Sequence, residues 1–212
     1  MNKIENFVWD FDGTLFDTYP AIVAIMRQSL QHFGYDSQPQ EIMYLLLESV
    51  AFARVHYAER FGIDPQDLKQ QMDIRWEQYF AQPDSKPMEG VEGVLRQVIA
   101  TGRKNYIFTN RKWGETVDLL KKFGMDVYFQ DIIGQDSEGF AWKPAPDALL
   151  HLIEKYDLDP AKTVMIGDRL CDLESGRRAG TKTAHILCPI APEDLQCDWR
   201  IESYSQMLPL LG

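Results

Sequence analysis

From about residue 90 onward, short β-rich apolar runs alternate with stretches whose apolar positions recur at helical spacing. The runs are Asn105-Tyr106-Ile107-Phe108-Thr109, Asp131-Ile132-Ile133, Thr163-Val164-Met165-Ile166-Gly167-Asp168 and Thr183-Ala184-His185-Ile186-Leu187. Between them Val117, Leu120 and Phe123 lead up to Gly124, a natural stop, and Ala148, Leu149, Leu152, Ile153 and Tyr156 form a second helical set. This rhythm predicts a parallel sheet whose faces are covered by helices. Near the amino terminus, Phe7-Val8-Trp9 predicts one further strand.

The stretch from about Thr18 to Gln82 follows a different pattern, with no convincing strand and three amphipathic segments near residues 20–33, 40–61 and 65–80. In the third, Asp64 precedes Pro65 as an N-cap before a first-turn proline, and Leu68, Met72, Trp76 and Tyr79 line one face. The helical stretch interrupts the alternating pattern between its first and second strands, and Gln82-Pro83-Asp84-Ser85-Lys86-Pro87 reads as the return linker. The expected fold is therefore α/β, a doubly wound and mostly parallel sheet built from residues 1–17 and 84–212. Residues 18–83 form an inserted helical domain, with chain crossings near 17–19 and 82–89 as its hinge.

The first strand runs directly into Asp10-Phe11-Asp12-Gly13-Thr14-Leu15. Two acids at i and i+2 share a side if the strand continues, and the glycine after them permits a sharp turn. In open parallel sheets, ligands bind in the crevice beyond the strands' carboxyl ends. Three later segments fall at the same kind of position. Thr109-Asn110 offers a hydroxyl and backbone N–H groups, Lys143-Pro144 offers a point positive charge, and Gly167-Asp168-Arg169-Leu170-Cys171-Asp172 brings two further acids four residues apart. Taken singly, each has a bland alternative: a solvated turn, a helix cap, a solvated lysine, a strand-ending turn. Their strength is joint, because a parallel sheet gathers all four at one edge.

Asp10, Asp12, Asp168 and Asp172 raise one another's pKa if they converge, and a divalent cation is the natural compensation. With only oxygen ligands on offer, Mg²⁺ fits better than a thiolate- or imidazole-seeking metal. His32, His56, His151 and His185 are scattered and expected in core or surface positions. The three cysteines, Cys171, Cys188 and Cys197, show no CxxC spacing, which predicts buried or half-buried thiols in a reducing compartment and no zinc site.

Composition adds bounds. At 212 residues, 45% hydrophobic and 25% charged, the chain has room for one sizeable core, or for a core and a small appended domain. A net charge of −10 argues against nucleic-acid or anionic-membrane partners. The longest apolar stretch, near Met43-Tyr44-Leu45-Leu46-Leu47, is far short of the ~20 residues that span a bilayer, and no signal pattern opens the sequence. A soluble cytoplasmic protein is expected.

In combination and in this order, DxDGT, Thr-Asn, Lys-Pro and GDxxxD resemble the haloacid dehalogenase superfamily. The helical insert after the first motif is similar to the branch with an α-helical cap, which includes phosphoglycolate-phosphatase-like and β-phosphoglucomutase-like enzymes. The resemblance implies a Rossmann-like catalytic core and a cap domain. It makes Asp10 the nucleophile and a Mg²⁺ ligand, and Asp12 the general acid and base with its carbonyl on the metal. It assigns phosphate binding to Gly13 and Thr14 through their N–H groups, and to Thr109 and Asn110. Lys143 neutralises charge at the nucleophile and the phosphate, Asp168 ligates the metal directly, and Asp172 holds it through water or orients other groups. The dehalogenases of this superfamily lack a carboxylate at the position matching Asp12, so dehalogenation is not expected.

The implied activity is hydrolysis of a small phosphomonoester through an aspartyl-phosphate. Two alternatives share parts of the pattern: a phosphomutase of the β-phosphoglucomutase type, and a phospho-accepting signal receiver. Arg111 and Arg169 either touch substrate or pair with surface acids, and the surface reading is favoured. Tyr19, Arg54, His56 and Arg60 are conceivable specificity residues in the insert.

Overall fold

The computed structural model describes residues 3–81, 84–187 and 195–211. In chain order the elements are β1 (Asn6–Trp9), β2 (Phe16–Asp17), α1 (Tyr19–His32), α2 (Pro39–Leu46), α3 (Val50–Phe61), α4 (Pro65–Ala81), β3 (Lys86–Pro87) and α5 (Val91–Ala100). There follow β4 (Lys104–Phe108), α6 (Trp113–Lys122), β5 (Asp131–Ile133), α7 (Asp147–Tyr156), β6 (Thr163–Gly167), α8 (Leu170–Arg178), β7 (Lys182–Ile186) and β8 (Trp199–Ile201). The chain divides into two compact units, Met1–Asp17 with Pro87–Gly212, and Thr18–Lys86.

The first unit holds a six-stranded sheet in the order β5-β4-β1-β6-β7-β8, with every pairing parallel. Chain order runs outward from β1 in one direction through β4 and β5, and in the other through β6, β7 and β8, so the topology reverses at the central strand. β1 and β6 are buried along their whole length, as expected of inner strands covered on both faces. Alternate side chains separate into two cores. Phe7, Trp9, Ile107, Val164 and Ile166 pack with α5 and α6. Val8, Tyr106, Phe108 and Met165 pack with Ala148, Leu149 and Leu152 of α7.

The second unit has its own core, built on Ile22, Met26 and Leu30 of α1, Ile42 and Leu46 of α2, Tyr57 of α3, and Leu68 and Met72 of α4, with Trp76 and Tyr79 packed at its edge. The Asp64 carboxylate accepts from the Gln66 N–H at 2.8 Å, an N-cap at the start of α4. One expectation needs correction: the pattern over 40–61 is two helices. Ser49 adopts an extended backbone and its hydroxyl accepts from the Phe52 N–H at 2.9 Å, so a local cap ends one helix and opens the next. Of the four conceivable specificity residues, Tyr19 is buried in this core, Arg60 is ion-paired with Glu41, and the His56 ring packs edge-on against Tyr57.

No helix among the described residues is long and apolar enough to cross a membrane. Cys171 and Cys197 are half-buried free thiols, and Cys188 lies outside the described residues.

Candidate active site

Four loops at the carboxyl edge of the sheet supply the site. Asp10 follows β1 directly, and its N–H donates to the Ile166 carbonyl of β6 at 2.8 Å, which continues the ladder one residue past the strand. Beyond it the chain turns tightly around the Phe11 carbonyl, which accepts from the N–H groups of Thr14, Leu15 and Phe16 at 3.3, 2.9 and 3.0 Å. Gly13 makes this turn with φ +74°, a conformation that favours glycine. The Tyr204 hydroxyl donates to the Thr14 carbonyl and ties the turn down.

Asp168 follows β6, and α8 starts two residues later, which returns Asp172 to the same edge. The Asp172 carboxylate folds back over Gly167 so closely that a Cβ built there would lie 2.3 Å from its Cγ. Gly167→Ala therefore pushes Asp172 out of position. The expected stability loss in urea denaturation is on the order of 1–3 kcal/mol, as for other overpacked sites.

Asp10, Asp168 and Asp172 are fully buried, and each offers a carboxylate oxygen within 4.8 Å of the others. Lys143, carried on the loop after β5, bridges two of them: its Nζ lies 2.5 Å from Asp10 Oδ1 and 2.6 Å from Asp172 Oδ1. Its ammonium also sits 5.3 Å from the centre of the Phe108 ring. The lysine is placed by Asn110, whose side-chain Oδ1 accepts from the Lys143 N–H at 2.9 Å while Nδ2 donates to the Lys143 carbonyl at 3.3 Å. Thr109 lies at the end of β4, its N–H donating to the Ile133 carbonyl at 3.0 Å. The Thr14 hydroxyl donates to Asp168 Oδ1 at 3.3 Å.

The electrostatics are unbalanced towards negative charge. Burial, followed by the neighbouring Asp172, pushes the Asp10 carboxyl up to about 6 against the opposing pull of Lys143 and Arg169. Burial alone lowers the Lys143 pKa, but Asp10 and Asp172 more than offset it and the net direction is upward. Burial and then Asp172 push the adjacent Cys171 thiol up to about 12, so it is no nucleophile at neutral pH. Asp10 Oδ2 is buried and has no hydrogen-bond partner among the described residues. An orphaned carboxylate oxygen inside an all-oxygen donor set is a good fit for a hard divalent cation.

Three expectations are corrected. The convergence of four carboxylates holds for three: Asp12 is instead drawn to Arg111, whose Nη1 donates to Asp12 Oδ1 at 2.5 Å. Arg111 is accordingly no surface cation. It is 4% exposed, packs over the Phe11 ring at 5.6 Å, and has Glu115 at 3.7 Å. Arg169 is half-buried, and its charge favours the ionised Asp10 carboxylate. Finally, the N–H groups of Gly13 and Thr14 are spent inside the turn, on the Phe16 and Phe11 carbonyls at 2.8 and 3.3 Å, which removes them as phosphate donors. Among the described residues the N–H groups of Phe11 and Asp12 make no such bond.

The first unit is thus a doubly wound parallel α/β sheet carrying a buried, lysine-bridged acidic centre at its carboxyl edge. Residues 7–186 match the family model described as haloacid dehalogenase-like hydrolase, and the chain belongs to that family. It is 28% identical to the N-acetylmuramic acid 6-phosphate phosphatase of Pseudomonas aeruginosa, over 93% of this chain and 88% of that protein. It is 27% identical to the pyrophosphatase PpaX of Listeria innocua, over 99% and 97% of the two chains. Among solved structures, one described as a predicted phosphoglycolate phosphatase from Haemophilus somnus superposes with a TM-score of 0.87 at 18% identity, covering all of both chains. Membership of this family sets the signal-receiver alternative aside.

Proposed function

We propose that the protein is a Mg²⁺-dependent phosphatase that hydrolyses a small phosphomonoester through a phosphorylated Asp10. The observation that carries this reading is the convergence of Asp10, Asp168 and Asp172 around a common point, with Lys143 bridging two of them and one Asp10 oxygen left without a partner. Asp10, Asp168, Asp172 and the Asp12 carbonyl would hold the cation. Bound there, it neutralises charge on the phosphoryl group so that an anionic nucleophile can approach it.

The chain's own residues do the rest. An Asp10 oxygen attacks phosphorus, the phosphorus–oxygen bond to the substrate breaks, and the departing alkoxide takes a proton from Asp12. Asp12 then removes a proton from the water that attacks the aspartyl-phosphate, releasing inorganic phosphate and restoring Asp10. Lys143 offsets charge on the nucleophile and on the transferred group, and Arg111 orients Asp12 through its Oδ1, leaving Oδ2 to carry the transferred proton. The Thr109 hydroxyl and the N–H groups of Phe11, Asp12 and Asn110 are the donors assigned to phosphoryl oxygens. The helical unit Thr18–Lys86, inserted after the first strand, is assigned the role of a substrate-selecting cap.

The two relatives are named for action on a sugar phosphate and on pyrophosphate, so the substrate class is a small phosphorylated metabolite. A panel containing both, with phosphoglycolate and glucose 1-phosphate, tests it. Phosphate release is expected from at least one compound with Mg²⁺ present, to be abolished by EDTA and restored by excess Mg²⁺. Activity that survives EDTA would rule out the metal assignment. Isomerisation of the sugar phosphate in place of phosphate release would make the enzyme a mutase.

A further inference from the structure

His185 is fully buried in β7, where it pairs in register with Gly167 at the end of β6. Its ring Nε2 lies 3.1 Å from the Asp168 carbonyl oxygen. A carbonyl only accepts, so the ring carries its proton on Nε2 and donates it there. Nδ1 is buried and has no hydrogen-bond partner among the described residues. A buried acceptor without a donor destabilises a fold, and a strand selected for stability alone would place an apolar side chain at this position.

The other end of the same peptide is also held. The Arg169 N–H donates to Asp172 Oδ2 at 3.0 Å. The Asp168–Arg169 peptide is a rigid plane, gripped at its carbonyl by His185 and at its N–H by the Asp172 carboxylate. Two of the three clustered acids depend on that plane, Asp168 through its own Cα and Asp172 through the hydrogen bond. A donor on the carbonyl also polarises the amide and strengthens the N–H that holds Asp172. Thr14 steadies Asp168 from the opposite end of its side chain, and Gly167 leaves just enough room for Asp172.

We infer that His185 is a positioning residue for the cation centre: through the Asp168–Arg169 peptide it sets where the Asp168 and Asp172 carboxylates point. The inference rests on the reading of these acids as metal ligands. Among the described residues the ligand-bearing atoms that cluster are those of Asp10, Asp168 and Asp172, and His185 is not one of them, so its influence on the centre runs through the backbone.

The test is calorimetric titration of magnesium chloride into the full chain after EDTA treatment and dialysis, for the wild type, His185→Met and His185→Gln, with melting curves recorded without metal. His185→Met fills the space but has no donor, and its magnesium affinity is expected to fall by roughly 10–100-fold, as for other lost partners of metal ligands. His185→Gln keeps a donor at the Nε2 position and is expected to bind close to the wild type. Wild-type affinity in His185→Met, with only its melting temperature lowered, would reduce the histidine to a packing role and overturn the inference. Nitrogen-15 spectra of the wild-type ring decide the same point without a variant: the Nε2–H form is required, and the Nδ1–H form overturns it. A wild-type chain that binds no magnesium sinks the metal reading itself, an outcome distinct from failure of the His185 variants alone.

Discussion

Asp10→Asn is expected to lower turnover of a generic phosphomonoester such as p-nitrophenyl phosphate by on the order of 10⁵-fold, the scale on which removal of a covalent nucleophile acts. The amide is nearly isosteric with the carboxylate, so the loss is chemical rather than steric. The variant is also expected to fold. Asp10 is buried, its carboxyl is pushed up to about 6 by burial and by Asp172, and its ionised form is therefore an unfavourable occupant of the site. Replacing it with a neutral group removes that burden, while Lys143 keeps its second carboxylate, Asp172, at 2.6 Å. A melting temperature equal to or above that of the wild type, combined with absent turnover, is the expected pair of results. Turnover within tenfold of the wild type would end the nucleophile assignment.

Much of the centre was legible because it depends on local chain geometry. The burial of β1 and β6 on both faces leaves apolar runs that can be read directly, and each run ends in an acid. The four-residue spacing of Asp168 and Asp172 needs only a helix starting at the strand end, which α8 supplies. Likewise, Asp64 before Pro65 announces α4 without reference to the rest of the fold.

The less legible features depend on contacts between distant residues. Arg111 lies 99 positions from Asp12, and a basic residue after Thr109-Asn110 carries no sign that it will be buried against it. Asn110 is visible as a candidate, but its side chain serves the Lys143 backbone, 33 positions away. The N–H groups of Gly13 and Thr14 look available until the turn closes and claims them. His185 sits in an apolar strand with no local cue to the Asp168 carbonyl beside it. Short elements escaped for another reason: β8, three residues long at the sheet edge, and the two-residue β2 and β3 are too brief to show a period. The break between α2 and α3 hangs on one serine hydroxyl.

Lys143→Met carries the largest expected effect on stability. The lysine is 5% exposed and contacts Asp10 and Asp172, both fully buried, at 2.5 and 2.6 Å. Removing one partner from such an arrangement leaves uncompensated buried charge and typically costs about 3–5 kcal/mol. Methionine matches the lost stem in length, so the cavity contribution is small and the deficit is electrostatic. An electrostatic deficit has a definite pH signature. Lys143 is the main group that lowers the Asp10 pKa, so its loss raises the folded-state value beyond about 6 while the unfolded value stays at 3.8. A carboxyl raised on folding contributes stability that is present below its unfolded pKa and lost as the pH rises through its folded pKa. The variant's deficit is therefore expected to be large at pH 8 and to shrink towards pH 5, where Asp10 takes up its proton. Added Mg²⁺ should recover part of the loss at pH 8, since a cation between the same carboxylates does for them what the ammonium did. Urea denaturation at the two pH values, with and without Mg²⁺, measures all three effects. A deficit independent of both pH and Mg²⁺ would mean that Lys143 acts through packing, and its role in neutralising the centre would have to be abandoned.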